Sequence, residues 1–178
     1  MQRTPSAAAA VKIPPSCLSG FDCTALPLAG NGLDLAVDFA LTCRSCNAFA
    51  FLIFGFPIVA PDPSPYYAVE PGQTFFRPPH KLRCSSCGAE AALFDVRKDG
   101  YDGVLNGGAS YESGTDGEEP IAGQFKVTVA VFFNVEFDEL SELAAEANVS
   151  ISNLFDCITI KGTPVNGGED VELSYECA

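Results

Sequence analysis

Residues 41–50 read LTCRSCNAFA and residues 81–90 read KLRCSSCGAE, so a Cys-x-x-Cys pair occurs twice, Cys43 with Cys46 and Cys84 with Cys87, with 37 residues between the pairs. Both pairs sit in apolar, β-prone surroundings. Before the first, GLDLAVDFALTC (32–43) puts Leu33, Leu35, Val37, Phe39 and Leu41 on odd positions and Asp34 and Asp38 on even ones, the alternation of a half-buried strand. After it, NAFAFLIFGFPIV is apolar on both parities, which predicts a strand buried on both faces. Strand, cysteine pair, strand predicts a hairpin with the cysteines at its tip. QTFF (73–76), HKLRC and AEAALFDV repeat the order and predict a second hairpin over 81–96.

The spacing has a chemical reason. A Cys-x-x-Cys turn bends two sulfurs to the same side, and two such turns supply the four thiolates of a closed tetrahedral site at about 2.3 Å from a metal. Gly88 after Cys87 and Asn47 after Cys46 are the residue types that accept the left-handed backbone such a turn requires. Over roughly residues 33–98 the pattern resembles the zinc-ribbon class, in which two hairpin-borne knuckles share one metal. Yippee-like proteins and methionine sulfoxide reductase B also carry paired knuckles on β-sheets. The resemblance implies one structural zinc held by Cys43, Cys46, Cys84 and Cys87. It carries over no catalytic residue, because no further cysteine matches the reductase's active-site stretch. Four protein ligands leave no position for water, so such a site serves folding rather than Lewis-acid chemistry. Iron fits the same cage. A thioredoxin-like dithiol is the enzymatic alternative, but neither pair opens a helical period.

The rest of the chain predicts an α+β, β-rich protein in which the two zinc-knuckle β-hairpins pack with a C-terminal strand-helix-strand unit. FKVTVAVFFNVEF (125–137) alternates Phe125, Val127, Val129, Val131, Phe133, Val135 and Phe137 against mostly polar partners, the clearest strand present. Asp138 is placed to cap a helix with Leu140, Leu143, Ala144 and Ala147 on one face, ending near Asn148. CITI (157–160) and VELSYE (171–176) read as closing strands. ELAAEANVSISNLFD has a helix-turn-helix rhythm, but it lacks Arg and Lys in the second segment and is read as a helix, a turn and core-facing Leu154 and Phe155. Residues 1–16 are expected to be a disordered leader and 17–178 a single domain: a knuckle part (17–98), a Gly-rich acidic loop (99–123) and an acidic α+β part (124–178).

Between the knuckles, PDPSPYYAVEPG (61–72) is a proline-rich loop carrying Tyr66 and Tyr67. The 99–123 segment holds seven glycines and the carboxylates Asp99, Asp102, Asp116, Glu118 and Glu119, without the ligand order of a calcium loop. It is expected to be solvated. His80, the single histidine, follows Pro78 and Pro79 and is expected to face water. Cys17, Cys23, Cys157 and Cys177 lack ligand spacing and read as small buried hydrophobes, Cys157 in LFDCITI above all. With one histidine, a Ser/His/Asp or Cys/His apparatus has little to stand on.

Composition narrows the function classes. Residues 1–98 hold 8 Lys or Arg against 7 Asp or Glu, whereas residues 99–178 hold 2 against 16. A field of that sign repels phosphate backbones and anionic lipid and favours basic protein partners. Eight cysteines without a convincing export signal predict a reducing, cytoplasmic setting. The expectation is a structural-zinc, acidic protein-protein interaction module, an inhibitor or immunity-type protein for a basic partner being one version. Tyr66, Tyr67, Asp116, Glu118 and Glu119 are its candidate contact residues. The alternatives are a thiol-disulfide oxidoreductase and a nucleic-acid-associated zinc ribbon using the basic 77–98 stretch, namely Arg77, Lys81, Arg83, Arg97 and Lys98.

Overall fold

In a computed structural model, residues 12–26, 35–59, 74–106, 117–133 and 137–177 are described. The long alternating strand organises them. This is β7 (Phe125–Phe133), whose odd residues are buried and whose even residues are not. Along one edge it pairs with β8 (Cys157–Pro164), which in turn pairs with β9 (Val171–Glu176). Along its other edge it pairs first with β2 (Leu35–Cys43), from Thr128 to Phe133, and then with the start of β3 (Ala50–Val59), at Phe125 and Lys126. From there the path runs through β4 (Thr74–Cys84) to β5 (Glu90–Phe94), while β1 (Phe21–Ala25) flanks β2 and the two-residue β6 (Glu119–Pro120) flanks β3.

This arrangement corrects the first expected hairpin. β2 and β3 do not pair with each other, because β7 lies against both and supplies the hydrogen bonds that a local hairpin would have made. The second hairpin does form, with Arg83 opposite Glu90 and Lys81 opposite Ala92. β3 is buried or half-buried over Phe51–Ile58, as its two-sided apolar pattern requires. The sheet curls until it nearly closes. Gly20, just before β1, lies so close to β5 that an added Cβ would meet the Ala91 Cβ at 2.6 Å, and the β9 hydroxyl of Tyr175 donates to the Phe76 carbonyl of β4 at 2.8 Å.

The enclosed core is rich in phenylalanine, with Phe39, Phe51, Phe94, Phe125 and Phe155 fully buried. Phe21 meets Phe51 edge-on at 5.8 Å between centroids. Burial on this scale supplies the main stabilisation of the sheet.

Among the described residues two helices complete the fold. α1 (Gly100–Asn106) falls inside the segment expected to be a loop, and two of its first amides are satisfied from afar: Tyr101 N–H donates to Phe155 O at 2.9 Å and Asp102 N–H to Cys177 O at 2.8 Å. Long-range carbonyls here stabilise a helix that its glycines disfavour. α2 (Phe137–Ala147) buries Leu140 and Ala144, whereas Ala147 is exposed. It ends as read, at Asn148 with φ of 54°, where Val149 N–H returns to Ala144 O and Asn148 N–H to Ala145 O in a Schellman pattern. After it a short 3-10 turn, Ile151–Asn153, leads to Leu154 and Phe155, both buried. A second 3-10 turn, Ser16–Leu18, buries Leu18 and is anchored where Ser16 N–H donates to Asn153 Oδ1 at 2.7 Å. Pro15 beside it is buried.

Candidate metal centre

Each cysteine pair sits where a strand runs out. On β2 the alternation that buries Val37, Phe39 and Leu41 carries on to Cys43, and on β4 the alternation that buries His80 and Leu82 carries on to Cys84. The first cysteine of each pair therefore points inward. The chain then turns, and the second cysteines, Cys46 and Cys87, are exposed. The two turns are copies of one another. Cys43 N–H donates to Ala48 O and Cys84 N–H to Ala89 O, both at 2.8 Å, while Asn47 N–H and Gly88 N–H return to the carbonyls of Cys43 and Cys84 at 2.7 and 2.9 Å. Asn47 and Gly88 adopt φ of 58° and 76°, the left-handed backbone expected of them. Ser85 N–H donates across to Ala50 O at 2.9 Å and ties one turn to the exit of the other.

The four sulfurs converge. All lie within 4.8 Å of one another, with Cys43 Sγ 3.6 Å from Cys87 Sγ and Cys46 Sγ 3.5 Å from Cys84 Sγ. Ligands at about 2.3 Å from a tetrahedral ion stand about 3.8 Å apart, so the cluster has the dimensions of a four-thiolate cage. A disulfide would hold its sulfurs at about 2.05 Å, and all eight cysteines are free thiols.

The electrostatics fit the same reading. Burial pushes the Cys84 thiol up, but the N–H groups of Cys87 and Ser86 and the sulfurs of Cys46 and Cys87 outweigh it and bring the thiol down to about 7. For Cys46 the Ala48 N–H favours the thiolate, yet the neighbouring sulfurs of Cys87, Cys84 and Cys43 and desolvation push it up to about 12. Four sulfurs this close compete for negative charge, and a bound cation removes the competition.

The remaining candidates scatter. Glu118 is committed to Lys81, Oε2 to Nζ 2.5 Å, and Glu119 is exposed on β6. Tyr66, Tyr67 and Asp116 lie outside the described residues. The basic stretch is largely neutralised within the fold. Lys81 also meets Glu90 at 3.5 Å, Arg83 pairs with Glu90, and Arg97 and Lys98 pair with Asp95 at 3.0 and 3.6 Å.

His80 corrects its expectation. It is 1% exposed, because Pro78 and Pro79 do not end β4 but occupy an irregularity in its pairing with β3, where missing amides cost no ladder bond. Its Nδ1 lies 3.0 Å from Phe54 O and its Nε2 2.6 Å from the Tyr175 hydroxyl. The carbonyl makes Nδ1 the donor, and Nε2 shares the single Tyr175 O–H proton with the Phe76 carbonyl, 2.8 Å from the same hydroxyl. Burial lowers the His80 pKa to about 4, against smaller upward contributions from Phe54 O and Glu118. Period-2 counting from Leu82 and Cys84 was the signal that places His80 inside. Among the other cysteines, Cys177 is the buried one at 3% exposure and Cys157 is half-buried, since β8 turns its even residues, Ile158 and Ile160, inward.

No family model, no curated protein and no solved structure matches this chain. Among the described residues no helix is long and apolar enough to cross a membrane.

Proposed function

We propose that Cys43, Cys46, Cys84 and Cys87 hold one structural zinc ion, and that the protein stapled in this way is an interaction module that offers its acidic C-terminal part to a basic protein partner. The observation behind the metal reading is the convergence of four sulfurs from two turns with the same backbone hydrogen bonds. The zinc would join the end of β2 to the β4–β5 hairpin, two parts of the sheet that share no ladder. Supporting the partner reading is the charge of residues 99–178, 16 acidic side chains against 2 basic ones. Glu139, Glu142, Glu146, Glu169, Glu172 and Glu176 are all exposed. Neutralising a basic protein, as an inhibitor or immunity-type protein does, is the concrete form of this function.

Metal analysis and alkylation of freshly purified protein test the first half. The expected result is one zinc per chain, with the exposed Cys46 and Cys87 unmodified until a chelator is added; metal-free protein whose exposed thiols alkylate at once would overturn it. Capture of basic proteins tests the second half, with binding at about 50 mM salt lost by about 500 mM because a surface field is screened over a few ångströms at that strength. Salt-insensitive capture would count against an electrostatic partner.

A further inference from the structure

The proposed metal centre is asymmetric toward solvent. Cys43 and Cys84 are 5% and 2% exposed, whereas Cys46 and Cys87 are open to water. Each sulfur contact at 3.6 and 3.5 Å joins an exposed cysteine of one knuckle to the buried cysteine of the other, Cys87 to Cys43 and Cys46 to Cys84. An accessible thiolate is the nucleophile that peroxides oxidise, and a second thiolate within reach resolves the product.

We propose that this centre is an oxidation site for hydroperoxides, at which Cys46 and Cys87 react first and the metal is expelled as disulfides form across the knuckles, Cys46 with Cys84 and Cys87 with Cys43. The proposal rests on the zinc reading. In the first step the Cys46 thiolate attacks the terminal peroxide oxygen, the O–O bond breaks, the alkoxide leaves and takes up a proton as alcohol, and Cys46 becomes a sulfenic acid. In the second the Cys84 thiolate attacks that sulfur, the S–S bond forms, and hydroxide leaves and takes up a proton as water. Two thiolates, one hydroperoxide and two protons thus give one disulfide, one alcohol and one water, the sulfurs losing the two electrons that the peroxide gains. The same steps at Cys87 and Cys43 remove the last two ligands, and the ion departs as a free divalent cation. A crosswise linkage would keep the two turns together after the metal has gone, whereas disulfides within each Cys-x-x-Cys pair would let them part.

Cys177 is the internal control. Its thiol is 3% exposed and closed off from dissolved peroxide, whereas Cys46 and Cys87 are open to it. A thiol so buried is inert.

The test uses the full wild-type chain and hydrogen peroxide, with released zinc followed by a colorimetric chelator and the linkages read by mass spectrometry after tryptic cleavage without reduction. Arg44 lies between Cys43 and Cys46, so trypsin separates those two, while Cys84 and Cys87 stay together in peptide 84–97. The expected result is full zinc release at about two peroxides per ion, reversal by dithiothreitol and added zinc, peptide 84–97 held by disulfides to both Cys43 and Cys46, and Cys177 still reduced. Closure of 84–97 on itself with Cys43 joined to Cys46 would overturn the proposal, as would zinc retained at a dose that has already oxidised Cys177. Protein without zinc as purified would sink the metal reading instead, and its disulfide map would still decide between linkage across the two knuckles and closure within each.

Discussion

His80 shows how much one side chain's register can decide. Between Phe54 O and the Tyr175 hydroxyl it is held neutral, with its pKa lowered to about 4 from an ordinary 6.5. The unfolded chain therefore binds more protons than the native one between those two values, and stability falls as pH drops from about 6.5 toward 4. At about 1.4 kcal/mol per pKa unit the loss is on the order of 3 kcal/mol. Urea unfolding at pH 7 and pH 4.5 is expected to show a steeper decline for the wild type than for His80→Gln, which keeps a donor and an acceptor but cannot titrate; parallel declines would refute the assignment. At the metal centre, Cys84→Ser is expected to abolish stoichiometric zinc, whereas Cys157→Ser, remote from the cluster, should retain one ion per chain by metal analysis.

At the scale of elements, two glycines with different duties give opposite expectations. Gly55 sits at the irregularity where β3 passes β4, and a Cβ there would stand 2.7 Å from the His80 ring and 3.1 Å from Arg77 O. Gly55→Ala is expected to cost about 2–3 kcal/mol through overpacking. Gly88 has open space around it and only its φ of 76° to protect, so Gly88→Ala should cost about 1 kcal/mol. Denaturant midpoints of the two variants check the order, and a Gly88→Ala penalty as large as that of Gly55→Ala would mean that the knuckle is packed against something the sheet does not show. The knuckles themselves were legible because a metal turn is local chemistry: Cys, two residues, Cys, then Asn or Gly. Their strands were legible too, but not the pairing of β2, since the choice between β3 and β7 is made by a strand more than eighty residues away.

For the whole molecule, the cage would add a cross-link between the end of β2 and the β4–β5 hairpin, which share no ladder, beside the single Ser85 N–H to Ala50 O bond that already joins the two turns. Chelation under reducing conditions is expected to lower the melting temperature by more than about 10 °C, since a structural zinc contributes on the order of 10 kcal/mol in small domains and each kcal/mol moves a chain of this size by about 2–4 °C. A melting curve unchanged by chelator would mean that β7 and the phenylalanine core hold the sheet without metal. Near closure has its own consequence. With Gly20 against β5 and Tyr175 against β4, the sheet leaves less open edge than nine separate strands would, which limits edge-to-edge association.

The sequence by itself determined the quantities that repeat over short distances: the period-2 strands, the end of α2 at Asn148, the two knuckles and their sulfur count, and the acidic weight of residues 99–178. Each follows from side-chain geometry or charge within a few residues. Tertiary structure decided what local rules leave open. It brought Cys43 and Cys46 to within 4.8 Å of Cys84 and Cys87, placed β7 between strands expected to pair, turned His80 inward, and made a helix of Gly100–Asn106 by lending it the carbonyls of Phe155 and Cys177. In every one of these the partner lies far along the chain, and only burial of the shared core selects it.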